Sequence, residues 1–185
     1  MSRKLKPPEL AEARLVFGAA LDYDRLRVSE GRYFPNFIAD VGALLRGAKR
    51  RVDNAVTLGD TSFFPRELQA EAGNEDDMAW LIHELTHQWQ FQRFGWRYLW
   101  EAVQVQLSLG PAGYTYTDAK HGRPQEALRA AHAANKRFAD FNREQQGDIA
   151  RDYYRALKRG EDVTAWDPFF AEMGKLGRPA DAARE

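Results

Sequence analysis

The sequence predicts an α+β domain that is predominantly helical, with a small β-sheet in its N-terminal half. Apolar residues recur at helical spacing in several segments, and the residues around position 60 are rich in strand formers. At 185 residues and 44% hydrophobic content, one compact domain with a single core is the default. We therefore expect one domain over residues 1–173 and a flexible tail over residues 174–185.

The N-terminal half is expected to contain one helix and the strands. Residues 8–21 repeat apolar side chains at helical spacing, with prolines where a helix start tolerates them. Residues 25–29 alternate weakly, and segments 55–59 and 62–65 are rich in strand formers. These three segments predict the small sheet. Segment 34–47 fits either a turn of helix or a loop.

The first long helix is expected to begin after Asn74. This residue is a suitable N-cap, and apolar residues follow it at helical spacing as far as Phe94, before Gly95. The pattern predicts a helix of about five turns. Residues 96–109 remain apolar and favour another helix.

Two further helices are predicted nearer the C-terminus. An alanine-rich segment begins at Pro124 and predicts a helix that runs to about Ala139. Asn142 and Gln145 then form the pattern of a capping box. They predict the start of a last long helix that ends at Gly160.

Charge and composition exclude several classes of function. The 27 Lys and Arg residues balance 27 Asp and Glu residues, so the formal net charge of zero provides no general attraction to nucleic acid. No stretch approaches roughly 18 uncharged apolar residues, and the N-terminus lacks the apolar run of a signal peptide. We expect no membrane span, no nucleic-acid partner and a cytoplasmic protein, with export only by dedicated secretion machinery. Because there is no cysteine, any metal must be held by His, Asp or Glu.

The predicted five-turn helix contains the sequence His83-Glu84-Leu85-Thr86-His87. Two histidines four residues apart project from one helix face, so both imidazoles can reach a single Zn²⁺. Glu84 lies beside them and can polarise a metal-bound water. The pattern fixes only three positions, but its place inside a helix with an apolar stripe favours a metal site over two ordinary histidines.

A catalytic zinc site needs a third protein ligand and an open position. Arg93 stands where the three-histidine class of HExxH enzymes has its third histidine, so a carboxylate is expected instead. Glu144, Asp148 and Asp152 form an acidic stripe at i, i+4 and i+8 on the last predicted helix. One of them can bind the metal and the next can support it. Taken alone, such a stripe is more often a solvated face paired with arginines, and the HExxH motif shifts the balance toward a ligand.

Several segments of the chain resemble a known family. The segments are Asn54-Ala-Val-Thr-Leu-Gly, Leu81-Ile-His-Glu-Leu-Thr-His-Gln-Trp-Gln, Tyr114-Thr-Tyr and Phe141-Asn-Arg-Glu-Gln-Gln-Gly-Asp-Ile-Ala-Arg-Asp-Tyr-Tyr. They resemble small HExxH proteins described as Vgr-related, which are in turn similar to the HExxH core domain found with extracellular contractile injection systems. The HExxH motif with a later Glu-x-x-x-Asp also looks like the arrangement of the gluzincins.

The resemblance implies a zincin-like, mini-gluzincin domain in which the small sheet packs on the HExxH helix and a C-terminal helix carries the third ligand. It implies that Glu144 is this ligand and that Asp148 orients a ligating histidine. The longer side chain of Glu144, just after the predicted cap, can cross an interhelical gap of roughly 8–10 Å. The family is associated with secretion or toxin delivery, so the resemblance implies a zinc metallopeptidase of that setting. The long interval between His87 and Glu144 departs from typical gluzincins.

The expected reaction is hydrolysis of a peptide bond in a peptide or protein substrate. One Zn²⁺ per chain, held by His83, His87 and Glu144, lowers the pKa of a water, and Glu84 accepts its proton. Segment 56–64 can act as an edge strand for an extended peptide. Candidates for contacting the oxyanion or the substrate are Tyr114, Tyr116, Tyr153 and His121.

Two alternatives stay open at this stage. A zinc-stabilised adaptor or assembly domain would dock onto components of a secretion apparatus without hydrolysing anything. Glu84 argues against it, because a purely structural zinc site prefers four closed ligands and needs no acid–base carboxylate. An exported protease toxin would differ from the first hypothesis only in its substrate and location.

Overall fold

The computed structural model describes residues 2–31, 55–69, 73–95, 116–117 and 122–175. Within these ranges it contains five α-helices, one short 3-10 helix and three β-strands. The prediction of a predominantly helical α+β chain is therefore confirmed. The segments 34–47 and 96–109, and the part of the predicted tail beyond residue 175, lie outside the described residues.

The N-terminal helix, α1, spans Pro7–Phe17 and ends earlier than predicted. The backbone N–H of Gly18 still bonds to the Arg14 carbonyl, but its φ of 51° turns the chain out of the helix. Glycine adopts this conformation without a steric penalty. The apolar residues that follow, Ala20 and Leu21, are buried in the core although they lie outside the helix.

The sheet has three strands, β1 at Arg27–Glu30, β2 at Val56–Leu58 and β3 at Thr61–Phe64. Strand β3 is central and runs parallel to β1 and antiparallel to β2. Within the described ranges, β2 therefore lies at an edge of the sheet. Of the predicted edge segment 56–64, only the β2 half has that position, since β3 is paired on both sides.

The HExxH helix, α2, spans Glu75–Phe94, as predicted. The side-chain oxygen of Asn74 accepts the N–H groups of Asp76 and Asp77, and the helix ends at Gly95. This cap satisfies backbone donors that have no partner inside the helix. The predicted apolar stripe is buried in the core: Met78, Leu81, Ile82, Leu85 and Trp89.

The sheet packs on α2, as the resemblance implies. The side-chain amide of Gln88 donates to the Arg27 carbonyl at 3.0 Å and to the Ser62 hydroxyl at 2.6 Å. Gln88 is fully buried, and an unpaired buried N–H group is costly, so these bonds hold β1 and β3 at a fixed place along α2.

The third helix, α3, spans Pro124–Ala133 and is shorter than the predicted helix to Ala139. The chain leaves the helix because Asn135 adopts a left-handed φ of 58°. A 3-10 helix at Phe138–Asp140 follows. It places the Phe138 ring in the core, 5.9 Å from the Trp89 ring. Burial of this aromatic outweighs the helix propensity of the alanine-rich segment.

The fourth helix, α4, spans Arg143–Lys158, close to its predicted bounds. The predicted capping box is present, because Asn142 accepts the Gln145 N–H and Gln145 accepts the Asn142 N–H. The prediction that this helix is the last one is wrong. A fifth helix, α5, spans Asp167–Lys175 and includes the first two residues of the predicted tail.

The helices α2 and α4 pack against each other along their length. Ion pairs join them near the start of α2, between Arg155 and Asp76 at 2.6 Å and between Arg159 and Glu75 at 2.7 Å. The opposite end of α4, its N-terminus, therefore lies beside the middle of α2, where the HExxH motif is. Among the described helices, none combines the length and apolar character needed to cross a membrane.

Candidate metal centre

His83 and His87 face α4 from the middle of α2. Their Nε2 atoms lie 3.2 Å apart, and their side chains are 14% and 10% exposed. One carboxylate oxygen of Glu84 belongs to the same cluster, since the potential ligand atoms of the three residues lie within 4.8 Å of one another. The HExxH motif thus forms a compact group of metal-binding atoms at a partly covered surface.

Glu144 approaches both imidazoles from the first turn of α4. Its Oε2 atom lies 3.4 Å from His83 Nε2, and its Oε1 atom lies 3.5 Å from His87 Nε2. Two imidazoles and one carboxylate form a ligand set that zinc takes in catalytic sites. The structure thus brings the predicted third ligand to the predicted pair.

The outer nitrogen of each imidazole also has a partner. Asp148 Oδ1 lies 3.1 Å from His83 Nδ1, one helical turn beyond Glu144. A carboxylate in this position accepts the Nδ1–H and leaves Nε2 with its lone pair directed at the cluster. Asp148 therefore lies within reach of His83 Nδ1, and its orienting role stays a prediction.

His87 is oriented by a side-chain amide instead. Its Nδ1 atom lies 2.9 Å from Gln90 Oε1. The amide nitrogen of Gln90 donates to the Arg143 carbonyl and to Gln146 Oε1, each at 3.0 Å, which fixes which end of the amide faces His87. Because Gln90 presents an acceptor, His87 Nδ1 carries the proton and its Nε2 is available as a ligand.

The electrostatics of the cluster favour positive charge. Burial opposes charge on His83, but its bonds to Asp148 and Glu144 outweigh burial and raise the pKa of His83 to about 10. Burial likewise opposes charge on His87, and Glu144 raises the pKa of this residue. Burial would raise the pKa of Glu144, yet the neighbouring His87 and His83 hold it well below its usual value. Positive charge is therefore favoured at this place, and a bound cation would compete with protons for the imidazole nitrogens.

Glu84, whose carboxylate lies near the imidazoles, is also bonded to the sheet. Its Oε2 atom accepts a hydrogen bond from the Thr57 hydroxyl at 2.7 Å. The Thr57 hydroxyl also lies 2.7 Å from the Ser62 hydroxyl, which in turn accepts from Gln88. Since the Thr57 proton is directed at Glu84, Ser62 donates to Thr57, and the hydrogen bonds form one directed row.

Gly147 allows α4 to come this close to His83. A Cβ atom at position 147 would lie 2.7 Å from Cε1 of the His83 ring, closer than carbon atoms approach in proteins. Glycine inside a helix costs roughly 1 kcal/mol relative to alanine. Here its missing side chain makes the space in which the imidazole lies.

The predicted oxyanion or substrate contacts have different outcomes. The hydroxyl of Tyr116 donates to Asp152 at 2.8 Å. The Tyr153 ring packs 4.5 Å from the Phe170 ring of α5, so it is not brought to the cluster. Tyr114 and His121 lie outside the described residues.

Three residues of the site escaped the sequence analysis. Gln90 lies three residues after His87 on the same helix, and that spacing was a usable signal for a side-chain contact. Gly147, surrounded by helix-forming residues, was a second signal, because such a glycine often marks a close approach. Thr57 has no local signal, since its contact with Glu84 depends on how the sheet packs on α2.

No family model matches the chain. It is 29% identical over 157 residues to the type VI secretion system spike protein VgrG2b of Pseudomonas aeruginosa, in a match that covers 82% of this chain and 13% of that protein. The solved effector domain of P. aeruginosa VgrG2b has a similar fold, with a TM-score of 0.63, 25% identity, and coverage of 89% of this chain and 80% of that domain. The chain therefore spans a small part of the spike protein and most of its effector domain. Sequence and fold together relate it to this Vgr effector domain, which supports the Vgr-related part of the predicted resemblance.

Proposed function

We propose that the chain is a zinc-dependent peptidase of the gluzincin type that acts as a type VI secretion effector. The observation that carries the proposal is the position of Glu144, whose two carboxylate oxygens face the Nε2 atoms of His83 and His87. These three residues would hold one Zn²⁺ and leave a coordination position for water. When bound, zinc supplies Lewis-acid chemistry, lowering the pKa of a water and polarising a peptide carbonyl.

Glu84 would accept the proton of the attacking water and pass it to the leaving amine. The hydrogen bond from Thr57 engages Glu84 Oε2 and leaves the other oxygen for proton transfer. Glu84 is only 5% exposed, which keeps bulk water from competing for that oxygen. The uncharged donor orients the carboxylate without neutralising it.

The bond to Thr57 also favours a peptidase over a zinc-stabilised adaptor. In a closed structural site, Glu84 would be expected to turn toward the metal as a fourth ligand. Here the buried Thr57 hydroxyl is bonded to Oε2 of Glu84, although one Glu84 oxygen lies within 4.8 Å of the imidazole nitrogens. Among the described strands, β2 lies at an edge of the sheet, and we propose that an extended peptide binds along it next to this carboxylate.

The secretion part of the proposal follows from the two comparisons. Both relate the chain to VgrG2b, and the structural match is to a domain described as an effector. We propose that secretion-apparatus components are partners and that the chain is exported by that machinery. An exported protease acting in a target cell would combine both parts of the proposal.

Elemental analysis after zinc reconstitution tests the metal site. We expect about one equivalent of zinc per chain, with an anomalous-scattering peak between His83, His87 and Glu144 in a crystal. Less than about a tenth of an equivalent of any transition metal would contradict the proposal.

The substitution Glu84→Gln tests the chemistry. It keeps the shape of the side chain and removes the proton acceptor, so we expect full zinc content and no cleavage of a peptide library. Glu126→Gln, at an exposed position on α3, is the matched control and should leave both zinc content and peptide cleavage unchanged. A Glu84→Gln variant that still cleaves would refute the role of Glu84, and a zinc-loaded wild type that cleaves no peptide would favour the adaptor.

A further inference from the structure

A row of hydrogen bonds continues beyond Asp148. Arg151 donates from Nη1 to Asp148 Oδ1 at 2.5 Å and from Nε to Asp152 Oδ1 at 3.0 Å. Tyr116 donates from its hydroxyl to Asp152 Oδ2 at 2.8 Å. The row therefore starts at Tyr116, which lies outside α4, and ends at the imidazole of His83.

Each link in this row has a defined direction. Arginine only donates and an ionised carboxylate only accepts, so Arg151 bridges the two aspartates. Burial and the nearby charge of Asp152 raise the pKa of Tyr116, which keeps its hydroxyl as a donor. Asp148 Oδ1 is shared between Arg151 and His83 Nδ1.

We propose that Arg151, braced by Asp152 and Tyr116, is a positioning residue that holds Asp148 against His83 and so sets the zinc affinity of the site. This inference rests on the proposed function. Asp148 and Asp152 are each 16% exposed and Arg151 is 30% exposed, so water has limited access to replace these bonds. The planar guanidinium meets two carboxylates from two different nitrogens, which restricts its orientation.

A purely electrostatic role for Arg151 and a positioning role predict opposite changes in zinc affinity when Arg151 is removed. A positive charge near a cation site opposes zinc binding, so its removal would tighten binding if charge were all that mattered. A positioning role predicts weaker binding, because Asp148 is then free to turn away from His83 Nδ1. The sign of the change separates the two.

A double-mutant test of Tyr116 and Arg151 distinguishes a positioning role from a general effect on the fold. If Tyr116 acts through Arg151, removing its hydroxyl matters only while Arg151 is present. Two independent structural effects would add instead. Arg159 lies just past the same helix and pairs with Glu75 away from the site, which makes it a matched control.

The test is zinc affinity of the full chain, measured by competition with a chelator, with thermal unfolding of each metal-free variant as a check on folding. We expect Arg151→Met to weaken zinc binding roughly 10-fold, at the low end for outer partners of a metal ligand. Arg151→Lys keeps the charge but cannot contact both aspartates from two fixed nitrogens, so its zinc affinity should lie between those of Arg151→Met and the wild type.

Tyr116→Phe should weaken zinc binding about threefold, as loss of one neutral hydrogen-bond donor does, and should have no further effect in the Arg151→Met chain. Arg159→Met should bind zinc as wild type does.

Unchanged or tighter zinc binding by Arg151→Met overturns the inference, as does simple additivity of the Tyr116 and Arg151 effects. If Arg151→Met fails to fold, the zinc affinities of Tyr116→Phe and Arg151→Lys test the inference instead. Wild-type affinity in both variants would overturn the inference. A wild type that binds no zinc overturns the proposed function and the inference with it, whereas normal zinc binding with unaffected variants overturns only the inference.

Discussion

The two sides of α2 hold their residues by different means. Toward the sheet, Glu84 is held by an uncharged hydroxyl, that of Thr57. Toward α4, the imidazoles of His83 and His87 meet the carboxylates of Glu144 and Asp148. Neutral donors orient a carboxylate and leave its charge available, whereas carboxylates around imidazoles attract a cation. If the proposed function is correct, the metal is bound on the α4 side of α2 and Glu84 is oriented for proton transfer from the sheet side.

Removing the nearest carboxylate should have the largest effect. Glu144→Ala takes away the group that faces both Nε2 atoms, so we expect zinc binding to be nearly abolished in a chelator titration. If Glu144→Ala binds normally and Asp148→Ala is metal-free, the two roles are reversed and the gluzincin comparison has been misaligned.

Asp148→Ala should weaken zinc binding by a smaller amount. Loss of the acceptor at His83 Nδ1 releases the ring orientation without removing a ligand, and the expected loss is roughly 10- to 100-fold. The same titration measures it. A loss as complete as that of Glu144→Ala would place Asp148 among the ligands themselves.

Gly147→Ala tests the close approach of α4 to the His83 ring without changing a charged residue. The added methyl would collide with the His83 ring, so we expect roughly 10-fold weaker zinc binding, comparable to loss of an outer partner. Alanine is the better helix former by roughly 1 kcal/mol, which offsets the cost of this collision, so the free energy of unfolding of the metal-free chain should change little. Gly174→Ala on α5, where nothing lies within 4 Å of the added methyl, is the control. Wild-type zinc affinity in Gly147→Ala would show that the ring moves aside at no cost.

Thr57→Val should have the smallest effect on metal binding and a clear one on hydrolysis. It keeps the shape and removes the hydroxyl bonded to Glu84, so zinc affinity should stay within about twofold while turnover falls roughly 10-fold. Thr57→Ser restores the hydroxyl and should restore turnover. A large loss of zinc affinity in Thr57→Val would mean that contacts on the sheet side of α2 also determine metal binding.

Local signals explain what the sequence could predict. The starts of α2 and α4 follow from the caps Asn74 and Asn142, which act on their own first turns. The HExxH motif lies within one helix, so its geometry is also local. The end of α3 and the existence of α5 depend on tertiary burial, of Phe138 against α2 and of Phe169 in the core.

The candidate site likewise combines local contacts with contacts that depend on tertiary packing. Residues on one helix face, such as Glu144 and Asp148, could be assigned to a common side from spacing alone. Which of them meets which nitrogen depends on how α4 is placed along α2. The contact between Thr57 and Glu84 joins a strand to a helix that lies well after it in the chain. It depends on how the sheet packs on α2, so no periodic pattern in the sequence predicts it.

The candidate ligands come from two helices that are far apart along the chain, so occupancy of the centre is linked to the folding equilibrium. An ion that binds only when α4 is docked on α2 stabilises the native state by about 2.7 kcal/mol when free zinc is 100 times its Kd. A chelator should lower the Tm of the wild type and leave that of Glu144→Ala unchanged. Zinc supply would thus determine how readily α4 separates from α2, and with it the lifetime of the folded chain.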